Sequence, residues 1–448
     1  MSLTVGLETL GCKVNQYESS YLAELLIAEG HSLVPFRQKA DIYIVHSCAV
    51  TSKAAYQTRQ LLRRAKRSNP GAKILLLGCD AQLESSRIAQ EQLATHILGA
   101  TEKLDLLHWM HQAGTFSSPC LAVGDARLAP IMKPLPTSRM HSGRARAFIK
   151  VQDGCDSFCS YCIVPYTRGR SRSLPKQDVR SQLDRYLEYG YQEVVFTGIH
   201  LGQWGRDLEP PQELSSLLKF LGQGTLPARI RLSSLEAREW NDDLLDFVSS
   251  SSSVCPHFHV PLQSGSSQIL QAMHRPYTPP QYSELIHELH RRFPRAAIGA
   301  DVMVGFPGET ERHFQETAEF IDRLPLTYLH VFPFSPRPGT KAAEIDGRIT
   351  GSTLKQRAKF LRNLDTKKRM GFRQSNIGQV VEVLVETETK LGHWRGTSDN
   401  YLQVTFHSNN PSVLPGSLVK VRLNKLDKAG IVSGDPLFSS HPETTFLL

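Results

Sequence analysis

Short apolar runs alternate with amphipathic stretches over residues 1–112. TVGLETLGC reads as a strand ending at Gly11–Cys12, DIYIVHSC as a second strand and AKILLLGC as a third. A stretch with Tyr21, Leu22, Leu25 and Leu26 at helical spacing lies between the first two. A basic helix with Arg59, Arg63, Arg64, Lys66 and Arg67 lies between the next two and ends at Asn69–Pro70–Gly71. Strands alternating with helices predict a parallel sheet, whose ligands bind beyond the carboxyl ends of its strands. Residues 113–140 are rich in Pro, Ser and Gly without a period and read as a linker. Over 141–372 the alternation returns: EVVFTGI, RIRLSSLE, HFHVPLQ, AIGADVMVGF and YLHVFPF are strands separated by helical stretches. Repeated β–α units of this kind predict a complete or partial barrel. Over 373–440, short alternating runs broken by Gly, Asn and Pro predict a small antiparallel barrel, led into by a basic helix. The fold class is α/β, in three parts.

Composition narrows this picture. At 40% hydrophobic and 21% charged residues over 448 positions, the chain can bury large cores and lacks a disorder signature. The net charge of +9 favours a polyanionic partner or serves solubility. The first residues lack the pattern of a signal peptide, and no run is apolar for long enough to cross a bilayer, so a cytoplasmic protein without a membrane partner is expected. Eight cysteines in a reducing compartment then read as ligands or buried thiols rather than disulfides.

Cys155, Cys159 and Cys162 stand in CDSFCSYC, a C-x3-C-x2-C spacing. Three thiolates on one loop suit three irons of a four-iron cube, leaving the fourth open to a small ligand. A zinc site would need a fourth ligand and usually a second knuckle, and no second knuckle is present in the sequence. Cys12, Cys48 and Cys79 each follow an apolar strand of the first part. Parallel strands end side by side, so these three can converge on a second cluster; singly, each reads as a core cysteine. Cys120 and Cys255 read as ordinary thiols.

The loop with Tyr161 before its last cysteine resembles the radical S-adenosylmethionine superfamily. LGCKVNQYES, HSCAVT, LGCDAQ, DGCDSFCSYCIVPYTRGRSRS, HVPLQSGS and DVMVGFPGET together resemble its methylthiotransferase family. The tail is similar to a TRAM domain, a small barrel associated with RNA binding. The resemblance implies two [4Fe-4S] clusters and S-adenosyl-L-methionine used twice, once as radical source and once as methyl donor. It implies a methylthio group placed on carbon 2 of the adenine of threonylcarbamoyladenosine at position 37, in the tRNA anticodon stem-loop. Lys13–Val14 after the first cysteine resembles that branch; the isopentenyladenosine branch has Gln–Met there, and the ribosomal-protein branch Pro–Lys. An electron donor such as flavodoxin or ferredoxin and a sulfur source are further implied partners. His46–Ser47 and Asp80 depart from the family's usual residues and bear on the polar surroundings of the second cluster. A non-catalytic, redox-sensing RNA-binding protein is the reading from another class.

Strand-end residues are the candidates for the cofactor. By resemblance, Thr197–Gly198 hold the methionine amino group; from their strand-end position, Ser234 and Glu236 suit the ribose hydroxyls, and Gln263 and Ser264 a further contact on the cofactor side; Tyr161 lies in the cysteine loop beside them. Val304–Gly305–Phe306–Pro307–Gly308 suits a loop against the adenine. For each, a turn or capping role is the competing reading. No catalytic residue beyond the cluster ligands is read. Arg168, Arg170 and Arg172 alternate and, if extended, form a phosphate-facing stripe that Lys367, Lys368, Arg369 and Arg373 continue. Trp394 and Tyr401 either stack on bases or pack the tail's core.

Overall fold

A computed structural model describes residues 2–112, 120–129, 131–135 and 145–438. Six parallel strands form the amino-terminal sheet, in the spatial order Ser32–Val34, Thr4–Thr9, Ile42–Ser47, Lys73–Gly78, His96–Leu98, Cys120–Ala122. Ile42–Ser47 is buried along its whole length, which is why IYIVHS is an unbroken run rather than an alternation. Thr51 starts the basic helix Ser52–Ser68 by accepting a hydrogen bond from the Ala54 amide.

Cys120–Ala122 corrects the linker reading: it is the edge strand of this sheet, paired with His96–Leu98. Ala126–Leu128 forms one 3-10 turn. Other parts of that stretch (113–119, 130 and 136–140) lie outside the described residues, as do 141–144 after it.

The central part is a partial barrel of six strands. Ala147–Lys150, Glu193–Thr197 and Arg229–Leu232 pair in one parallel group, and His257–His259, Ala297–Val304 and Tyr328–Pro333 in another. The groups adjoin through the Ile230–Val254 bridge and the hydrogen bond from Leu235 N to His259 O, 3.0 Å. Alternation sorts the side chains. Val194, Phe196, Ile230, Leu232, Phe258, Ile298, Ala300 and Val302 belong to the core under the surrounding helices. Their neighbours Glu193, Thr197, Arg231, His257, His259 and Asp301 therefore face the barrel's interior.

Gly351–Ser375 is one long helix leading to a closed five-stranded barrel. Its strands are Val380–Lys390, His393–Ser398, Gln403–His407, Leu418–Leu426 and Val432–Leu437. Four pairings are antiparallel and one, between Gln403–His407 and Val432–Leu437, is parallel. Trp394 is part of its core, and its Nε1 donates to Ser408 O at 3.1 Å. Tyr401 stacks on His257 with ring centroids 3.9 Å apart. Arg231 donates to Asp399 O at 3.1 Å and Ser398 O at 3.2 Å, so the tail closes the amino-terminal end of the central barrel. Trp394 is thus spent on the core, whereas Tyr401 packs on the central barrel and remains 38% exposed. Among the described residues no helix is long and apolar enough to cross a membrane.

Candidate functional site

Cys12 caps the amino terminus of the helix Lys13–Ala28, Cys48 follows its strand directly, and Cys79 opens the helix Cys79–Gln90. Two glycines let them meet. A Cβ on Gly11, at φ +99°, would lie 2.7 Å from Cys48 Cβ and 2.9 Å from its sulfur. A Cβ on Gly78, at φ +94°, would lie 2.7 Å from the His46 ring. Cys12 keeps surface open to solvent while the protein around it desolvates its sulfur. Burial raises the thiol pKa of Cys12, and that of Cys48 to about 11; the nearness of Cys79 adds to both, and that of Cys12 to Cys48.

Cys155, Cys159 and Cys162 lie on the loop after Gln152–Asp153. Cys155 Sγ is 3.2 Å from His200 Nδ1, and His200 Nε2 is 2.6 Å from Glu239. Burial opposes ionisation of Cys155, but His200 and Ser157 outweigh it and the thiol pKa falls. Burial pushes Cys162 up to about 12. Arg275 donates to Cys159 Sγ at 3.5 Å and is paired with Glu236. Tyr161 packs on Ile269, Met273, Phe306 and Ala342.

Thr197 and Gly198 end their strand against Gln152, whose Oε1 would lie 2.8 Å from a Cβ on Gly198 and accepts from His200 N at 2.8 Å. Ser234 Oγ is 2.7 Å from His259 Nδ1. Gln263 holds φ +64° and bridges to Val302. Thr197, Gly198, Ser234, Glu236 and Gln263 thus follow the carboxyl ends of the barrel strands. Ser264 does not join them: its buried hydroxyl is 3.1 Å from Thr317 Oγ1 on an outer helix. In the Val304–Gly308 loop, Gly305 N donates to Glu309 at 2.9 Å, a turn-closing bond.

The arginine stripe is not formed. Arg168 ends the short helix Val164–Arg168 and is 2% exposed. It donates to Asn15 and Glu18 of the amino-terminal domain and to Asp153 at 2.8 Å. Glu18 also receives Lys103 at 2.7 Å and Lys150 at 2.8 Å. These cations hold the Glu18 carboxyl well below its ordinary range against the opposing effect of burial. His46, wholly buried, is 2.8 Å from Ser19 Oγ and 3.6 Å from Glu18. Burial holds its pKa well below that of a free imidazole. Asp80 is buried beside Cys79 with its nearer oxygen 4.0 Å from Arg337, and burial raises its pKa to about 6. Arg170 is exposed and pairs with Asp156 at 3.1 Å. In the long basic helix, Lys367 pairs with Asp322 at 3.1 Å and Arg369 with Asp365 at 2.8 Å.

Arg168 links the two cysteine sets. Asn15 Oδ1, which takes its guanidinium, is 3.8 Å from Cys12 Sγ. The next residue, Gly169, accepts the Cys155 amide at 3.1 Å. Sequence reasoning missed this bridge, His200 and Arg275; the strand-end position of His200, three residues after Thr197, was the available signal.

The donor chemistry tests which metal each set suits. Among the described residues, the group of three donors whose ligand atoms all lie within 4.8 Å is His259, Asp301 and His330, and neither cysteine set meets that span. Ligands of one ion crowd together, whereas those of a four-iron cube stand at separate corners. Beside the strand-end thiols, Arg168, Lys103 and Lys150 face two carboxylates, Glu18 and Asp153, an excess of buried positive charge. A thiolate-ligated cluster is the kind of anionic group that such an excess accommodates.

Two family models match: "Uncharacterized protein family UPF0004" over residues 4–99 and "Radical SAM superfamily" over residues 149–321. The threonylcarbamoyladenosine tRNA methylthiotransferase MtaB of Aquifex aeolicus is 36% identical, over 90% of this chain and 96% of that protein. The tRNA-2-methylthio-N(6)-dimethylallyladenosine synthase of Moorella thermoacetica is 32% identical, over 93% of this chain and 95% of its own. In fold, the chain is similar to the radical S-adenosylmethionine methyltransferase TsrM from Kitasatospora setae, with a TM-score of 0.55 at 14% identity over 77% of each chain.

Proposed function

This chain belongs to the radical S-adenosylmethionine tRNA methylthiotransferases, and we propose that it places a methylthio group on carbon 2 of threonylcarbamoyladenosine at position 37 of tRNA. The observation that carries the reading is the pair of three-cysteine sets, one in each domain, bridged by Arg168. The branch rests on Lys13–Val14 and on the 36% identity to the threonylcarbamoyladenosine enzyme against 32% to the dimethylallyladenosine one.

In this reading Cys155, Cys159 and Cys162 hold one [4Fe-4S] cluster and Cys12, Cys48 and Cys79 the other. When bound, the first supplies one-electron reduction of S-adenosyl-L-methionine and hence hydrogen abstraction from carbon, and the second supplies sulfur that a second S-adenosyl-L-methionine methylates. The remaining work is done by side chains. Thr197, Gly198, Ser234, Glu236 and Gln263, at the strand ends, bind and orient the cofactor, with Tyr161 shielding it. Arg275 fixes Glu236 against Cys159. Gln152 ties the radical loop to the Thr197–Gly198 strand end. Ser264 is left to the outer helix. Arg168 holds the two cysteine sets in fixed relation, so that a substrate carbon activated beside one lies within reach of the sulfur held beside the other.

The same reading implies action in the cytoplasm, with an electron donor such as flavodoxin or ferredoxin and a sulfur source. The test is anaerobic incubation of the cluster-loaded protein with reductant, S-adenosyl-L-methionine and an anticodon stem-loop bearing threonylcarbamoyladenosine, followed by mass spectrometry of the nucleosides. The expected product is the 2-methylthio nucleoside. Methylthiolation of isopentenyladenosine alone, or of a ribosomal-protein aspartate with RNA untouched, overturns the substrate.

A further inference from the structure

The interior face of the strand Ala297–Val304 can be read from bottom to top. Gly299 leaves room for Tyr328, whose ring would meet a Cβ there at 2.0 Å. Asp301 comes next, 3.2 Å from His259 Nε2 and 3.2 Å from His330 Nδ1. Met303 follows and, like Tyr161 of the radical loop, packs on Ile269, Met273, Phe306 and Ala342. Asp301 therefore sits one inward position, roughly 7 Å of strand, below the level of that loop. Tyr328 and Tyr401 close the barrel beneath it.

Polar groups at this depth need partners. His259 is nine-tenths buried; Ser234 takes its Nδ1, but its Nε2, 3.2 Å from Asp301, lacks hydrogen-bond geometry there and has no other hydrogen-bond partner among the described residues. His330 commits Nδ1 to Asp301, and 48% of its side chain is exposed, with Nε2 as its remaining polar atom. No contact in the barrel uses that nitrogen among the described residues.

We propose that His330, oriented by Asp301 and backed by His259, is a specificity-determining residue that hydrogen-bonds the amino-acid substituent on N6 of the substrate adenosine. This rests on the substrate reading above and extends it to the groups being read. A threonylcarbamoyl group carries a ureido, a hydroxyl and a carboxylate, all able to satisfy His330 Nε2. A branched apolar substituent at the same place would strip water from His330 and Asp301 and return nothing. A site built to hydrogen-bond discriminates steeply against analogues that lack the bonding group.

The experiment compares kcat/KM on two stem-loops of one sequence, bearing threonylcarbamoyl or isopentenyl adenosine, with rates normalised to iron content. His330→Leu is expected to lower the ratio of the two values by about 10- to 100-fold, mainly through KM on the threonylcarbamoyl RNA. His330→Gln is expected to recover part of it. Asp301→Asn, which keeps volume, should shift the ratio in the same direction and serves if His330→Leu is insoluble. An unchanged ratio, or equal loss on both RNAs, overturns the assignment while leaving the enzyme's substrate intact. Wild-type protein that thiolates only the isopentenyl RNA overturns both the substrate and the subsite. A stoichiometric divalent cation present in the wild type and lost in His330→Leu makes the triad a metal site and overturns it as well.

Discussion

The two cysteine sets reach similar ends by opposite routes. Cys155, Cys159 and Cys162 are neighbours in sequence, and their loop needs little from elsewhere to bring them together. Cys12, Cys48 and Cys79 come from three strand ends and meet only because the parallel sheet has formed and Gly11 and Gly78 accept positive φ. Their surroundings differ too. The loop set has His200 against Cys155 and Arg275 against Cys159. The strand-end set lies beside a buried network with three cations and two carboxylates. A local motif is robust and individually tuned; a set assembled by topology depends on the whole domain.

The largest effect separates the roles. Cys159→Ala is expected to abolish both 5′-deoxyadenosine release and thiolation, by about a thousandfold or more, when scored by chromatography of the cofactor products. Cys48→Ala should keep 5′-deoxyadenosine release and lose only thiolation. Normal thiolation by Cys48→Ala would make the two sets interchangeable and break the comparison.

Gly11→Ala attacks topology without removing a ligand. Its Cβ would meet Cys48 in an unfavourable backbone region. Iron should fall from about eight to about four per chain, counted by colorimetric assay, with 5′-deoxyadenosine still formed. Full iron loading would show that the sheet edge yields more than the geometry implies.

Arg168→Met leaves Glu18 and Asp153 short of a buried partner and should destabilise the protein by about 3–5 kcal/mol in denaturant unfolding. A cost under about 1 kcal/mol would mean that Lys103 and Lys150 suffice. The smallest effect lies at the far end of the barrel. Burial, with help from Arg231, Lys13, His259 and Arg146, holds His257 neutral beneath Tyr401 and Tyr328. In the unfolded chain it takes a proton below about pH 6.5, so its contribution is complete above that pH and is lost as pH falls. The thermal midpoint should drop between pH 7 and 5.5, and His257→Gln should flatten that drop by about 1 kcal/mol equivalent.

What the sequence disclosed follows the same contrast. The three-part fold was legible because long alternating runs leave strong periods. The edge strand Cys120–Ala122 was not, since three residues carry no period and the sheet edge recruits them. The arginine stripe failed for a physical reason. RGRSRS reads as extended, but Val164–Arg168 is a helical turn ended by Gly169 at φ +76°, which turns Arg168 inward. Asp301, His259 and His330 lay in plain view as inward polar positions within apolar strands; what sequence withholds is that three strands bring them to one level.

Glu18 has a consequence for how such enzymes can be recombined. It belongs to the amino-terminal domain, yet two of its cationic partners, Lys150 and Arg168, belong to the central barrel. Exchanged alone for a homologous module, the amino-terminal unit would bring a carboxylate that fits only a host offering those two side chains. Chimaeras should therefore succeed when Glu18, Lys103, Lys150, Asp153 and Arg168 travel as one cassette, and the seam between the modules is the wrong place to cut.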